Sequence, residues 1–157
     1  PNNTGNIGRT CVALGCALHL IHPLGFDIDE KACRRAGLDY WPRLDLHEHE
    51  TLDAYLASVS PDARVWSLST RRSRSRYDAD IRRGDHLLLG SETRGLPESA
   101  LARDTERCVC LPMSPGERPL NVATVMFAVA SEGVRQMIGR GEIALDAHGR
   151  LSEANNA

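Results

Sequence analysis

The stretch Leu87-Leu88-Leu89-Gly90-Ser91-Glu92-Thr93-Arg94-Gly95-Leu96-Pro97 decides how this chain is read. Successive leucines suit a strand buried on both faces, and such strands belong to parallel sheets. Gly90 then breaks the strand, and a carboxylate and a guanidinium follow on a polar turn. Gly95 permits a backbone conformation that a Cβ resists, and Pro97 suits the first turn of a helix. In open α/β sheets, ligands bind outside the carboxyl ends of the strands. A glycine-flanked turn bearing Glu92 and Arg94 at such a place is a candidate site. The same residues also fit a tight connector with a surface ion pair.

Outward from this stretch, strands alternate with helices. Toward the amino terminus, Pro1 to Asn6 is turn chemistry. Ile7, Cys11 and Leu14 follow at helical spacing on a short helix ending at Gly15. Ala17 to His22 reads as a strand stopped by Pro23, and Asp29 to Ala36 as a helix with acids first, Arg34-Arg35 last and Gly37 beyond. A short strand is expected over Arg43 to Leu46, with His47-Glu48-His49 in a polar link. A helix over Thr51 to Val59 and a strand over Val65 to Ser69 come next. Toward the carboxyl terminus, a short helix covers Pro97 to Ala102, a strand Cys108 to Leu111, and a long helix Leu120 to Met137. The fold class is therefore α/β, with a mostly parallel sheet flanked by helices. The tail from Gly139 to Ala157 is polar and is expected to fray.

The 157 residues, 41% apolar and 25% charged, suit one soluble globular domain. No window approaches the roughly 18 apolar residues that a spanning helix needs, so no membrane partner is expected. Five cysteines, an odd number, suggest no disulfide framework and point to a reduced, cytoplasmic setting. Cys108 and Cys110 lack a second ligand pair and the histidines are scattered, so no metal is expected. The net charge of −2 hides an uneven distribution, with Arg71, Arg72, Arg74 and Arg76 in one loop. Arginines bind phosphate bidentately and such a cluster releases counterions, so this loop is a candidate phosphate-contact element; its plainer reading is a solvated loop.

Three loops stand out for chemistry: Asn3 to Arg9, Gly90 to Pro97, and Leu111 to Asn121. No Gly-x-Gly-x-x-Gly, Gly-Lys-Ser/Thr or Gly-x-Ser-x-Gly pattern follows a strand, which argues against dinucleotide, P-loop and hydrolase sites. These loops, as Asn3-Thr-Gly-Asn-Ile-Gly-Arg9, Gly90-Ser-Glu-Thr-Arg-Gly-Leu-Pro97 and Leu111-Pro-Met113 with Asn121, resemble the ordered motifs of the SPOUT RNA methyltransferases. The likeness is closest to the tRNA 2′-O-methyltransferases that modify the wobble-position cytidine or uridine. It extends through Leu18-His-Leu-Ile21, Pro23-Leu-Gly-Phe26 and Arg34-Arg-Ala-Gly-Leu-Asp-Tyr40, and spans 1–138.

The resemblance implies a methyltransferase domain over 1–138 with a deep C-terminal trefoil knot, S-adenosylmethionine as cofactor, a homodimer, and tRNA as substrate. It also implies a strand just upstream of the Asn-rich loop. By position, Arg9 matches the family's catalytic arginine, and Asn3, Glu92 and Asn121 its motif residues. Cofactor contacts are implied at Leu68, Gly90, Glu92, Gly95, Leu111, Met113, Pro119 and Leu120. The chain departs from the family's usual residues at Pro119, Thr124, Ser131 and Val134. Alternatives are an rRNA 2′-O-methyltransferase of the same superfamily and a catalytically weak RNA-binding or dimerisation module.

Overall fold

The computed structural model describes residues 2–24, 39–70 and 78–153, which divide into two compact units, Pro1–Pro61 and Asp62–Ala157. In the first unit, α1 (Asn2–Leu14) leads to β1 (Leu18–Ile21). A 3-10 turn (Trp41–Arg43), β2 (Leu46–His49) and α2 (Leu52–Ser58) follow. The Asn- and Gly-rich start, expected as a turn, is helical from Asn2. Its buried face is Gly5, Gly8 and Cys11 in place of the expected Ile7–Cys11–Leu14 stripe. Glycine costs a helix about 1 kcal/mol against alanine, and close packing offsets that here. A Cβ on Gly8 would lie 3.2 Å from Leu44 and 3.4 Å from Trp41. The Tyr40 hydroxyl donates to the Gly5 carbonyl. Burial, and secondarily Cys16, pushes the Cys11 thiol up to about 12, so it packs as a small apolar group.

β1 and β2 pair in parallel, with Leu18 opposite Leu46 and His19 opposite His47. The strand expected over Arg43 to Leu46 thus lies later, because Trp41-Pro42-Arg43 forms the 3-10 turn. His47-Glu48-His49 is strand rather than polar link. His19 stacks on His47 at 4.7 Å between ring centroids and its Nδ1 lies 2.9 Å from Nε2 of His49. The Thr51 hydroxyl caps α2 by accepting from the Ala54 N–H at 3.1 Å, and Tyr55 is buried beneath. The helix expected over Asp29 to Ala36 lies outside the described residues, as do Arg71, Arg72, Arg74 and Arg76.

The second unit holds β3 (Val65–Leu68), β4 (His86–Leu89), α3 (Glu98–Arg103), β5 (Cys108–Val109) and α4 (Val122–Gly139). Its strands pair in parallel in the order β4-β3-β5. β5 is shorter than the expected Cys108 to Leu111; Pro112 has no N–H with which to prolong a ladder. Trp66, Leu68, Ala79, Ile81, Val109 and Val129 form the core, with Leu87, Leu89 and Val125 packed against it. Each large side chain buried this way contributes about 1.5–3 kcal/mol. α4 carries Gly133 where a Cβ would come 2.9 Å from Ile81 Cγ2, so that glycine lets the 79–81 segment lie on the helix. Gln136 holds it there, accepting from the Ile81 N–H at 2.9 Å and donating to the Ala79 carbonyl at 2.8 Å.

Asp85, just before β4, accepts from Arg64 twice, from Trp66 Nε1 at 2.8 Å and from the Arg82 N–H at 2.9 Å. Desolvation would raise its pKa, but these donors outweigh it and hold the carboxyl below the usual range. Beyond Gly139, where fraying is expected, β6 (Ile143–Leu145) and β7 (Leu151–Glu153) form an antiparallel hairpin. Its turn is local chemistry: Asp146 accepts from the N–H groups of His148 and Arg150, both at 2.8 Å, and Gly149 takes φ 74°. Arg83 and Glu153 then join the hairpin to the body through two hydrogen bonds of 2.9 and 2.8 Å.

Candidate active site

In the second unit, three parallel strands end side by side. Leu68 pairs with Leu89 on one flank and with Val109 on the other. The Ser69 N–H donates to the Val109 carbonyl at 3.0 Å, the last rung before the strands diverge. Leu68, Gly90 and the run from Cys110 to Leu111 therefore converge on one edge, where open parallel sheets bind ligands. Main-chain N–H and C=O groups freed at such an edge can read a heterocycle, and apolar neighbours can cover it. Leu111 and Met113 are half-buried, and Leu120 is 47% exposed.

The turn after β4 is closely folded. The Gly95 N–H donates to the Ser91 carbonyl at 2.8 Å, and the Arg94 N–H to the Ser91 hydroxyl at 3.2 Å. Ser91 and Gly95 form an antiparallel bridge, with Gly95 at φ 68°. A Cβ on Gly90 would fall 2.0 Å from the carbonyl carbon of Gly95 and 2.2 Å from the Leu96 nitrogen. Glycine at 90 is thus a steric requirement of the fold-back, and glycine at 95 a conformational one. The result presents Glu92, Thr93 and Arg94 at an exposed tip, while Leu96 is buried as an anchor. Pro97 is the cap residue before α3 rather than part of its first turn.

The loop from Leu111 to Asn121 is mostly exposed and turns at Pro115-Gly116, where the Glu117 N–H reaches the Ser114 carbonyl at 3.3 Å and Gly116 takes φ 81°. It ends on Asn121, whose Oδ1 accepts from the N–H groups of Ala123 at 2.9 Å and Thr124 at 3.4 Å. Asn121 therefore starts α4 as its N-cap, and the helix begins at Val122, two residues after the expected Leu120. Pro119 is exposed in the loop; Ser131 and Val134 are half-buried on α4. Among the described residues no group of three or more His, Cys, Asp or Glu is arranged to hold a metal, and no helix is long and apolar enough to cross a membrane.

Asn3 and Arg9 belong to the first unit, both on α1. Arg9 is exposed, with its guanidinium 5.5 Å from the centroid of the Tyr40 ring and 3.8 Å from Asp39 Oδ1. Glu92 and Asn121, with every implied cofactor contact, belong to the second unit. Ser91, which closes the turn, and Asp39 and Tyr40, which flank Arg9, are not among the expected site residues, though all three lie in runs that carry the resemblance. The Gly37-Leu38-Asp39-Tyr40 run is visible in the sequence, but no spacing rule ties it to a helix some thirty residues earlier.

These features define a class: an α/β protein whose parallel strands end side by side at one edge of the sheet. The model of the SpoU rRNA Methylase family matches residues 1–130. The chain is 45% identical over 138 residues to a tRNA (cytidine(34)-2′-O)-methyltransferase of Burkholderia ambifaria, covering 87% of this chain and 88% of that one. Against the protein of the same name from Saccharophagus degradans it is 41% identical over 138 residues, covering 87% and 89%. A solved structure described as giving insight into the 2-OH methylation of C/U34 on tRNA superposes with a TM-score of 0.83 at 46% identity, covering 89% of this chain and 91% of that one. The chain belongs to the SpoU rRNA Methylase family.

Proposed function

We propose that the protein transfers the methyl group of S-adenosylmethionine to a ribose 2′-hydroxyl of tRNA, at the wobble nucleotide of the anticodon. The observation that carries the reading is the near full-length identity, above 40%, to enzymes named for that reaction. The strand-end edge is chemically suited to the cofactor: main-chain groups at Leu68, Gly90 and Leu111, with Met113, Pro119 and Leu120 to cover an adenosyl group. When bound, S-adenosylmethionine supplies a methyl already activated by its sulfonium. Ser91 and Gly95 close the turn that would hold it, with Glu92 at the tip, and Asn121 caps α4.

Arg9 stabilises the developing negative charge on the ribose oxygen and holds the neighbouring phosphate, with Asn3 beside it in the same motif. A guanidinium remains protonated at any ordinary pH, so Arg9 acts electrostatically and not as a base. The arginines at 71, 72, 74 and 76 contact RNA phosphates. The methyltransferase domain spans 1–138, carries a C-terminal trefoil knot, and works in the cytoplasm as a homodimer without a metal; the exposed Phe127 suits a covered position in such a dimer. An rRNA substrate is the second reading, favoured by the description of the family model.

The test is methyl transfer from labelled S-adenosylmethionine to transcripts of tRNA and rRNA, with the modified ribose mapped. Labelling confined to the tRNA anticodon loop is expected, and labelling of rRNA alone refutes the tRNA assignment. Arg9→Ala abolishes transfer while cofactor affinity stays within about twofold, because an exposed arginine on α1 contributes transition-state charge stabilisation and not cofactor contact.

A further inference from the structure

We infer that Asp39 and Tyr40 are positioning residues for Arg9, a role that rests on the reading of Arg9 as the catalytic arginine. Within the first unit, four observations converge on this cluster. The Tyr40 residue is only 3% exposed, and its hydroxyl donates to the Gly5 carbonyl, one turn before Arg9 on α1. A Cβ placed on Gly8, beside Arg9, would meet Trp41 at 3.4 Å and Tyr40 at 3.5 Å, ordinary contact distances, so the aromatic pair lies directly against the helix. The Arg9 guanidinium then rests over the Tyr40 ring at 5.5 Å, within range of a cation–π contact. Asp39 holds it from another side at 3.8 Å.

The arrangement has the form of a mount. The ring face is fixed by burial and by its hydroxyl, and it offers the guanidinium a flat seat. The Asp39–Arg9 pair is 80% and 70% exposed at its two side chains, so it contributes little to folding. Its consequence is orientational: a long, rotamer-rich arginine is confined to one region before RNA arrives, which lowers the ordering cost at the reacting centre. The contact is loose enough for the arginine to leave Asp39 for a phosphate, which binds guanidinium bidentately. Neither Asp39 nor Tyr40 touches the reacting atoms in this scheme.

The experiment uses the full chain with four variants: Asp39→Asn, Tyr40→Phe, Tyr40→Leu and Arg9→Ala. Turnover, KM for tRNA, S-adenosylmethionine affinity, thermal midpoint and the NMR shift of the Arg9 side chain are measured. Misorientation of a catalytic group is costly, so kcat is expected to fall about tenfold in Tyr40→Leu and about threefold or more in Asp39→Asn. Cofactor affinity stays constant, and Tyr40→Phe keeps most of the rate because the seat remains. The upfield ring-current shift of the Arg9 Hδ protons is present in wild type and Tyr40→Phe and absent in Tyr40→Leu. If Tyr40→Leu does not fold, Asp39→Asn decides, since its carboxylate is exposed and its thermal midpoint should not move. Unchanged kcat in Asp39→Asn, with Arg9→Ala inactive, overturns the inference alone. Full activity of Arg9→Ala overturns the reading it rests on, and the inference with it.

Discussion

Replacing Gly90 with alanine places a methyl group 2.0 Å from the carbonyl carbon of Gly95 and 2.2 Å from the nitrogen of Leu96. Both are backbone atoms, so no side-chain rotation relieves the clash. Ordinary contact begins near 3.4 Å, so the two arms of the turn must separate by more than 1 Å. That separation strains the Gly95 N–H bond to the Ser91 carbonyl at 2.8 Å and the Ser91–Gly95 bridge that define the tip. Overpacking of this kind costs about 1–3 kcal/mol in stability. The effect on function is larger, because a displacement of about 1 Å at a positioned site costs on the order of a hundredfold in rate. Gly90→Ala is therefore expected to lower the thermal midpoint by several degrees and to weaken S-adenosylmethionine binding, read by calorimetry, by about tenfold or more. Leu89→Ala serves as the control, losing packing at the strand without disturbing the turn. A Gly90→Ala protein that binds the cofactor with wild-type affinity would refute both the fold-back geometry and the assignment of this turn to the cofactor.

Other consequences are as direct. Asn121→Ala removes the acceptor for two helix N–H groups and should cost about 1 kcal/mol in denaturant unfolding; Asn121→Asp, which keeps the acceptor, should restore it. Asp85→Asn removes the nearer carboxylate of Arg64, whose side chain is 24% exposed and keeps Asp80 at 3.7 Å, and should cost roughly 1–3 kcal/mol. Folding lowers the Asp85 pKa from the ordinary 3.8 of an aspartate, so its contribution is fully present above that value and disappears as pH falls through the folded-state pKa. Acid unfolding of Asp85→Asn should therefore show a shallower pH dependence in that range. Neutralising Arg72 and Arg74 should weaken tRNA binding. The slope of log affinity against log salt should fall by about 0.7–0.9 for each phosphate no longer neutralised, and an unchanged slope would return that loop to solvent.

Much of the second unit is legible in the chain itself. The leucine run before Gly90 is apolar at every position because Leu88 is buried and Leu87 and Leu89 pack partly buried against the core, and the glycines at 90 and 95 sit where a Cβ would collide or the backbone turns left-handed. Asn121 before an apolar helical run marks a helix start by short-range chemistry alone, since cap and capped N–H groups lie within three residues. The same local logic gives the alternation of strands and helices that defines the class. It fails where local rules conflict with distant partners. Gly5 and Gly8 look like turn residues, yet they sit in a helix because Tyr40, Trp41 and Leu44 press against the space their missing side chains leave. His47 and His49 look solvated, yet they are strand residues because His19 and Tyr55 stack with them.

The hairpin after Gly139 shows the same conflict at the other end. Its residues are polar, and a two-stranded hairpin of such residues is marginal alone. The turn chemistry of Asp146 and Gly149 is visible in sequence; the Arg83–Glu153 contact, across seventy positions, is not. By itself, then, the sequence determined the order of strands and turns and the α/β class, since these follow from periodicity, caps and backbone permissiveness over a few neighbours. Only the tertiary structure decided which face of α1 is buried, that Gly90 meets the backbone of its own loop, and that Arg9 rests on Tyr40 beside Asp39. Those outcomes depend on the packing of atoms that no local rule brings together, where steric fit and burial outweigh local propensity.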